Sequence, residues 1–276
     1  MTVGIAGMGL IGGSLAKAYC AEGHTVYAHD SDEAILGFTQ LSGAAKGVLN
    51  EESLALCDII FIAINPGDTV AYLKSAAPFI AKNTIVIDCC GVKRNVCEQC
   101  FWIAKEHVFT FVGGHPMAGN HNAGFKNSRS NLFRGVYMIL VPPVYDSPAL
   151  LGRLEELLKP VGFGHLTITT AEKHDEMIAF SSQMAHIVSN AYVKSPSARG
   201  HKGFSAGSYK DLTRVARLNA EMWAELCMDN NDFLIKELDG FINSLGSYRN
   251  ALAANDREKL QELLEEGSRL KAELDH

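Results

Sequence analysis

The 276-residue sequence predicts an α/β fold: an N-terminal Rossmann-type doubly wound, mostly parallel sheet followed by an all-α C-terminal dimerisation domain. Three observations predict it. Val- and Ile-rich runs recur with helical segments between them, a glycine-rich turn joins the first run to the first helix, and strand signals stop after Thr170.

The runs are 2–7 (TVGIAG), 24–30, 58–64, 84–90, 108–114 and 136–142. Most are apolar throughout rather than alternating, as strands covered on both faces are. The pieces between them, such as SLAKAYCAEG and GDTVAYLKSAAPFIAKN, carry helical spacing, so the pattern is βαβ units around a parallel sheet. A last strand over 162–170 closes a dinucleotide-binding domain, 1–168. The region 169–276 then reads as helices for substrate binding and dimerisation, interrupted by a Gly/Ser-rich stretch at 195–208. Leu234, Leu238, Phe241, Leu245, Tyr248 and Leu252 fall on one helix stripe, which suits either an intrachain hairpin or a homodimer interface. Asn255 with Glu258 reads as a capping box that opens a final helix bearing Leu260, Leu263, Leu270 and Leu274.

Composition excludes several function classes. The formal net charge is -6 and the basic residues are spread along the chain, so no nucleic acid partner is expected. The N-terminal apolar run has no basic stretch ahead of it and breaks at glycines, which argues against a leader or membrane span and for a cytoplasmic protein. Seven cysteines include the cluster Cys89, Cys90, Cys97 and Cys100, but no second CxxC pair or zinc-spaced histidine follows. Thiol packing is the preferred reading, and no metal site is expected.

Gly7, Gly9 and Gly12 form GxGxxG directly after a strand and before a helix. The first glycine permits the tight turn, the second admits a pyrophosphate and the third lets helix and strand pack; Met8, Leu10 and Ile11 complete the turn. Asp30 ends the second strand, where a carboxylate can accept from the ribose hydroxyls. It would repel a ribose phosphate and has no basic neighbour, so NAD is favoured over NADP.

Substrates of such sheets bind at the C-terminal strand ends, and FVGGHPMAG is one. His115 there is either a base or a turn residue; Pro116 biases it toward an extended backbone, and its glycines admit close approach by another molecule.

GMGLIGGSLA, IDCCGVK, GGHPMAG, HDEMIAFSSQMAHIVSNAY and YKDLTRVARLNAEMW, in that order, resemble the prephenate and arogenate dehydrogenases of tyrosine biosynthesis over residues 3 to about 226. The resemblance implies NAD-dependent oxidative decarboxylation of prephenate to 4-hydroxyphenylpyruvate. The alternatives are an arogenate or dual-specificity cyclohexadienyl dehydrogenase, a β-hydroxyacid dehydrogenase of similar two-domain plan, and, outside enzymes, an NAD-sensing binding protein. By the same resemblance His115 is the catalytic base, Arg214 holds the ring carboxylate and His186 lies against the side chain. Lys210 is a weaker candidate for neutralising a carboxylate, within its own subunit or across to a partner; Lys126, Arg129 and Arg134 could serve the same end.

Two positions depart from the family pattern. Gly91 stands where many members carry a serine that orients the substrate hydroxyl, leaving that contact to a backbone amide, a water or a thiol such as Cys90. Gln183 stands where a histidine is frequent. No segment reads as a chorismate mutase or an ACT-type regulatory domain, so any tyrosine feedback must act at the active site or the dimer interface.

Overall fold

A computed structural model describes residues 1–119 and 123–275. In chain order its elements begin β1 (Thr2–Ala6), α1 (Leu10–Ala21), β2 (Thr25–His29), α2 (Glu33–Leu41), β3 (Gly47–Val48), α3 (Glu51–Leu54), β4 (Ile59–Ile62) and α4 (Pro66–Ala76). They continue through β5 (Ile85–Asp88), α5 (Arg94–His107), β6 (Thr110–Pro116), β7 (Tyr137–Val141), α6 (Pro148–Leu158) and β8 (His165–Ile168). The helices α7 (Ala171–Ile178), α8 (Ala185–Tyr192), α9 (Gly207–Thr213), α10 (Ala220–Met228), α11 (Asn231–Ala253) and α12 (Arg257–Leu274) follow.

Among the described residues the strands form one sheet in the order β3-β2-β1-β4-β5-β6-β7-β8. Strands β1 to β6 run parallel and β7 is antiparallel to β6, so the sheet is mostly parallel as expected. The reversal of order between β1 and β4 is the switch point at which open α/β sheets bind their ligands.

Strand β4 shows why the runs are apolar throughout. Ile59 and Phe61 join the core that includes Leu15 and Tyr19 of α1 and Leu154 of α6, whereas Ile60 and Ile62 join that of Leu73, Val96 and Cys100 on the other face. Successive side chains point to opposite faces and both are covered, with each buried Ile or Phe contributing about 1.5–3 kcal/mol. Tyr19 ties the first layer together by donating its hydroxyl to the Leu157 carbonyl at 2.9 Å.

By compactness the chain falls into Met1–Asn230 and Asn231–His276. The second unit is the hairpin of α11 and α12, latched where the Tyr248 hydroxyl donates to the Leu263 carbonyl at 3.0 Å. Leu245, Leu252, Leu264 and Leu270 stay exposed on it. The last helix does not start as expected. Asn255 adopts a left-handed φ of 54°, and Asp256 is the cap, accepting from the Lys259 amide at 2.9 Å. A single asparagine or aspartate at adjacent positions offers the same capping chemistry, and the tight turn takes the asparagine for its tolerance of positive φ. Among the described residues no helix is long and apolar enough to cross a membrane.

Candidate active site

The glycine turn sits at the C-terminal end of β1. Gly7 has φ +89° and lies against the Ala63 carbonyl that follows β4, while a Cβ on Gly12 would collide with the Gly7 carbonyl oxygen. A Cβ on Gly9 would meet nothing within 4 Å, so open space lies in front of that backbone. The first and third glycines thus build the turn and the second leaves room for a pyrophosphate at the start of α1, a fit for a dinucleotide. Asp30 follows β2, and its Oδ2 accepts from the Met8 amide at 2.7 Å. Its Oδ1 accepts from the Asp32 amide at 3.0 Å. Each oxygen keeps a further lone pair for a ribose hydroxyl.

His115 is the penultimate residue of β6, at the C-terminal strand end where it is expected. The strand continues to Pro116 by pairing with β7, and His115 is opposite Ile139. The preceding glycines serve the protein instead of an incoming molecule, which corrects the sequence reading. A Cβ on Gly113 would collide with Cys97 Sγ, and one on Gly114 with the Asp88 carbonyl oxygen. Asp88 holds this corner: its carboxylate accepts from the Gly114 amide at 3.0 Å, from the Cys90 amide at 2.9 Å and from Lys93 Nζ. Lys93 is fully buried, and although burial disfavours its charge, the Asp88 carboxylate beside it raises its pKa so that the ammonium is kept.

The imidazole of His115 is partnered by residues the sequence reading passed over. His115 Nδ1 lies 2.9 Å from His174 Nε2, and His174 Nδ1 lies 2.7 Å from Asp175 Oδ1. Asp175 also accepts from the Lys93 and Arg94 amides at 2.8 and 2.9 Å. Burial opposes its charge, but the His174 and Arg94 hydrogen bonds win and its pKa is lowered. An ionised Asp175 can only accept, so His174 carries its proton on Nδ1 and presents the Nε2 lone pair; His115 then donates from Nδ1 and keeps the Nε2 lone pair for the cleft. Burial, then His174 and Lys93, hold the His115 pKa well below the ordinary histidine value, so the ring is neutral. The adjacent His-Asp pair in the quoted segment HDEMIAF was the available signal.

The partner network runs on through α7. Arg94 Nη2 donates to Asn230 Oδ1 at 2.9 Å, and Asn230 Nδ2 donates to the Asp175 carbonyl at 2.8 Å and to Gln183 Oε1 at 2.7 Å. Gln183 closes it by donating to the Leu226 carbonyl at 2.7 Å. Gln183 is buried in this network, in a π-helical turn over Ala179–Met184 that joins α7 to α8. Such turns re-aim side chains and recur at functional sites, and no residue pattern announces them.

A cleft of about 600 Å³ is lined by Ile11 at the start of α1, Cys89, His115, Ser182, His186, Arg214, Arg217 and Trp223, with further residues at the end of β6 and ahead of α10. His186 donates from Nδ1 to the Ser182 carbonyl at 2.8 Å and packs on Trp223 with ring centroids 4.0 Å apart. Arg214 and Arg217 have no hydrogen-bond or ion-pair partner among the described residues. The structure therefore brings His115, His186 and Arg214 together with the glycine turn. Lys210, Lys126, Arg129 and Arg134 do not line the cleft, and neither does Gly91, whose Cβ would touch Leu226. Cys90 is turned away, its Sγ 3.3 Å from Thr69 Oγ1, so Cys89 is the thiol on the cleft wall. Cys97 and Cys100 are core residues, and burial pushes the Cys100 thiol up to about 12.

Comparison with known proteins fits this geometry. A family model described as prephenate dehydrogenase, nucleotide-binding domain, matches residues 15–166, and one described as prephenate dehydrogenase, dimerization domain, matches 170–266. A cyclohexadienyl dehydrogenase of Zymomonas mobilis is 27% identical over 99% of this chain and 97% of its own. The prephenate dehydrogenase of Bacillus subtilis is 27% identical over 94% of this chain and 72% of its own. Among solved structures, Synechocystis arogenate dehydrogenase superposes with a TM-score of 0.81 at 24% identity, covering 99% of this chain and 100% of its own. Prephenate dehydrogenase from A. aeolicus, in complex with hydroxyphenyl propionate and NAD+, gives 0.80 at 24% identity, covering 99% and 98%.

Proposed function

The chain belongs to the prephenate dehydrogenase family, and from that footing we propose that it catalyses the NAD-dependent oxidative decarboxylation of prephenate to 4-hydroxyphenylpyruvate. The observation that carries this is the relay Asp175–His174–His115, which ends in a neutral imidazole nitrogen on the wall of a cleft that also holds Arg214.

NAD supplies the hydride acceptor at the ring carbon that bears the hydroxyl. His115 Nε2 takes the hydroxyl proton as that hydride leaves, and its lowered pKa keeps the lone pair available at neutral pH. Arg214 grips the ring carboxylate with a planar fork, which orients the ring. When the carboxylate departs as carbon dioxide, its bonding electrons enter the ring and complete the aromatic sextet. His186 faces the side chain from Trp223 with its Nε2 open. Cys89 contributes a thiol to the cleft wall, whereas Gly91, at the position of the family serine, contributes no side chain there.

Prephenate is preferred to arogenate because no carboxylate lines the cleft among the described residues, so the ammonium of an amino acid would have no counter-charge. Asp30 favours NAD over NADP by repelling a ribose phosphate. The division of labour follows 1–168 for the dinucleotide and 169–276 for substrate and self-association, supported by the two family segments. The chain acts as a homodimer through its C-terminal helices, a reading supported by the dimerization-domain match and by apolar residues left exposed on the hairpin. A dual-specificity cyclohexadienyl dehydrogenase is the second reading, favoured by the Zymomonas relative.

The test is an assay of the purified protein with NAD or NADP and with prephenate or arogenate, following reduced cofactor. Prephenate with NAD is expected to be the fastest pair; no turnover of either substrate would defeat the reading.

A further inference from the structure

We propose that Arg217 is a second substrate anchor, which holds the carboxylate of the substrate's pyruvyl side chain while Arg214 holds the ring carboxylate. The inference rests on the functional reading above and extends it to a residue that the sequence reading left out.

Arg217 stands in the irregular segment between α9 and α10 and lines the same cleft as His115 and Arg214. The backbone on both sides of it is fastened. Asn190 Nδ2 donates to the Ala216 carbonyl at 3.0 Å, and Asn219 caps α10 by accepting from the Glu221 and Met222 amides at 3.1 and 3.2 Å. Upstream, Ser189 Oγ donates to the Leu212 carbonyl at 2.7 Å. The segment is therefore held at both ends of the arginine pair, while neither guanidinium has a partner among the described residues. Two cations placed three residues apart on one wall, without a carboxylate on the lining to neutralise them, create a local positive field that only an anionic ligand relieves.

The chemistry of the substrate matches that pair. Its ring carboxylate and its pyruvyl group are attached to one ring carbon, across the ring from the hydroxyl that must meet His115. Both negative charges thus arrive at the same end of the cleft, and they repel each other unless each is countered. A guanidinium fork satisfies one carboxylate bidentately and leaves the second needing its own donor. Arg217 is the cation at hand.

The product separates the two roles, because 4-hydroxyphenylpyruvate has lost the ring carboxylate and keeps only that of the side chain. Direct calorimetric titration of 4-hydroxyphenylpyruvate into the protein at saturating NAD is the experiment, with Arg214→Ala, Arg217→Ala and Arg217→Lys compared. Arg217→Ala is expected to weaken product binding about tenfold and Arg214→Ala less than about twofold, whereas both should raise the KM for prephenate. Lysine at 217 should restore part of the loss, since it returns the charge without the fork. Unchanged product affinity in Arg217→Ala, or a larger loss in Arg214→Ala, would overturn the assignment. Failure of the wild type to oxidise prephenate would instead defeat the functional reading, so the two failures are distinguishable.

Discussion

At the scale of single residues, the chemistry depends on which nitrogen of His115 carries its proton, and Asp175 decides that through His174. Replacing Asp175 with Asn removes the obligatory acceptor and lets His174 adopt either tautomer. We expect kcat to fall by about 10²-fold while NAD affinity stays near wild type, measured by turnover and by cofactor titration of the same sample. A KM effect with kcat intact would mean that Asp175 only supports packing. The His115 and His174 pKa values are both lowered, in each case first by burial, so kcat/KM should stay flat from neutral pH down through the usual histidine range and fall only below it. The same shifts act on stability. In the unfolded chain both rings accept protons near pH 6.5, so their contribution is full above that pH and is lost as pH falls toward the folded values; thermal melts at stepped pH should show Tm dropping from about pH 6.5 downward. His115, His186 and Arg214 were legible because motifs carried them. Arg217 and the His174–Asp175 pair were not, because a basic loop residue and a polar helix face are usually solvated, and only tertiary placement distinguishes these.

At the scale of elements, β6 shows what a sequence pattern can and cannot convey. The apolar run is visible, but glycines commonly mark turns and the run ends at Gly114 in sequence, whereas in the structure they allow β6 to lie against Asp88 and Cys97 and to continue to Pro116. A Gly114→Ala substitution should therefore lower Tm by roughly 3 to 10 °C, the cost of about 1–3 kcal/mol for a side chain forced into a packed layer, as read by calorimetry. A Tm within 1 °C of wild type would show that the strands can separate freely. The short β3 and the π-helical turn escaped the sequence reading for different reasons. Two residues, Gly47 and Val48, are too few to show alternation, and the extra residue of a π turn leaves the composition of its helix unchanged.

At the scale of the whole molecule, a two-helix hairpin cannot bury its own apolar surface, and Leu245 and Leu252 are 52% and 64% exposed. If a second copy covers them, the double variant Leu245→Glu, Leu252→Glu should shift the protein from twice the chain mass to the chain mass in light scattering; an unchanged mass would move the interface elsewhere. The hydrogen-bonded network from His115 to Leu226 also constrains which residues position 183 can hold. The side-chain amide of Gln183 both accepts from Asn230 and donates to the Leu226 carbonyl. Histidine at position 183 would leave buried polar groups without partners, a penalty of about 1–3 kcal/mol for each. Such an exchange is conditional on a change at Asn230, so the two positions are free to vary only together.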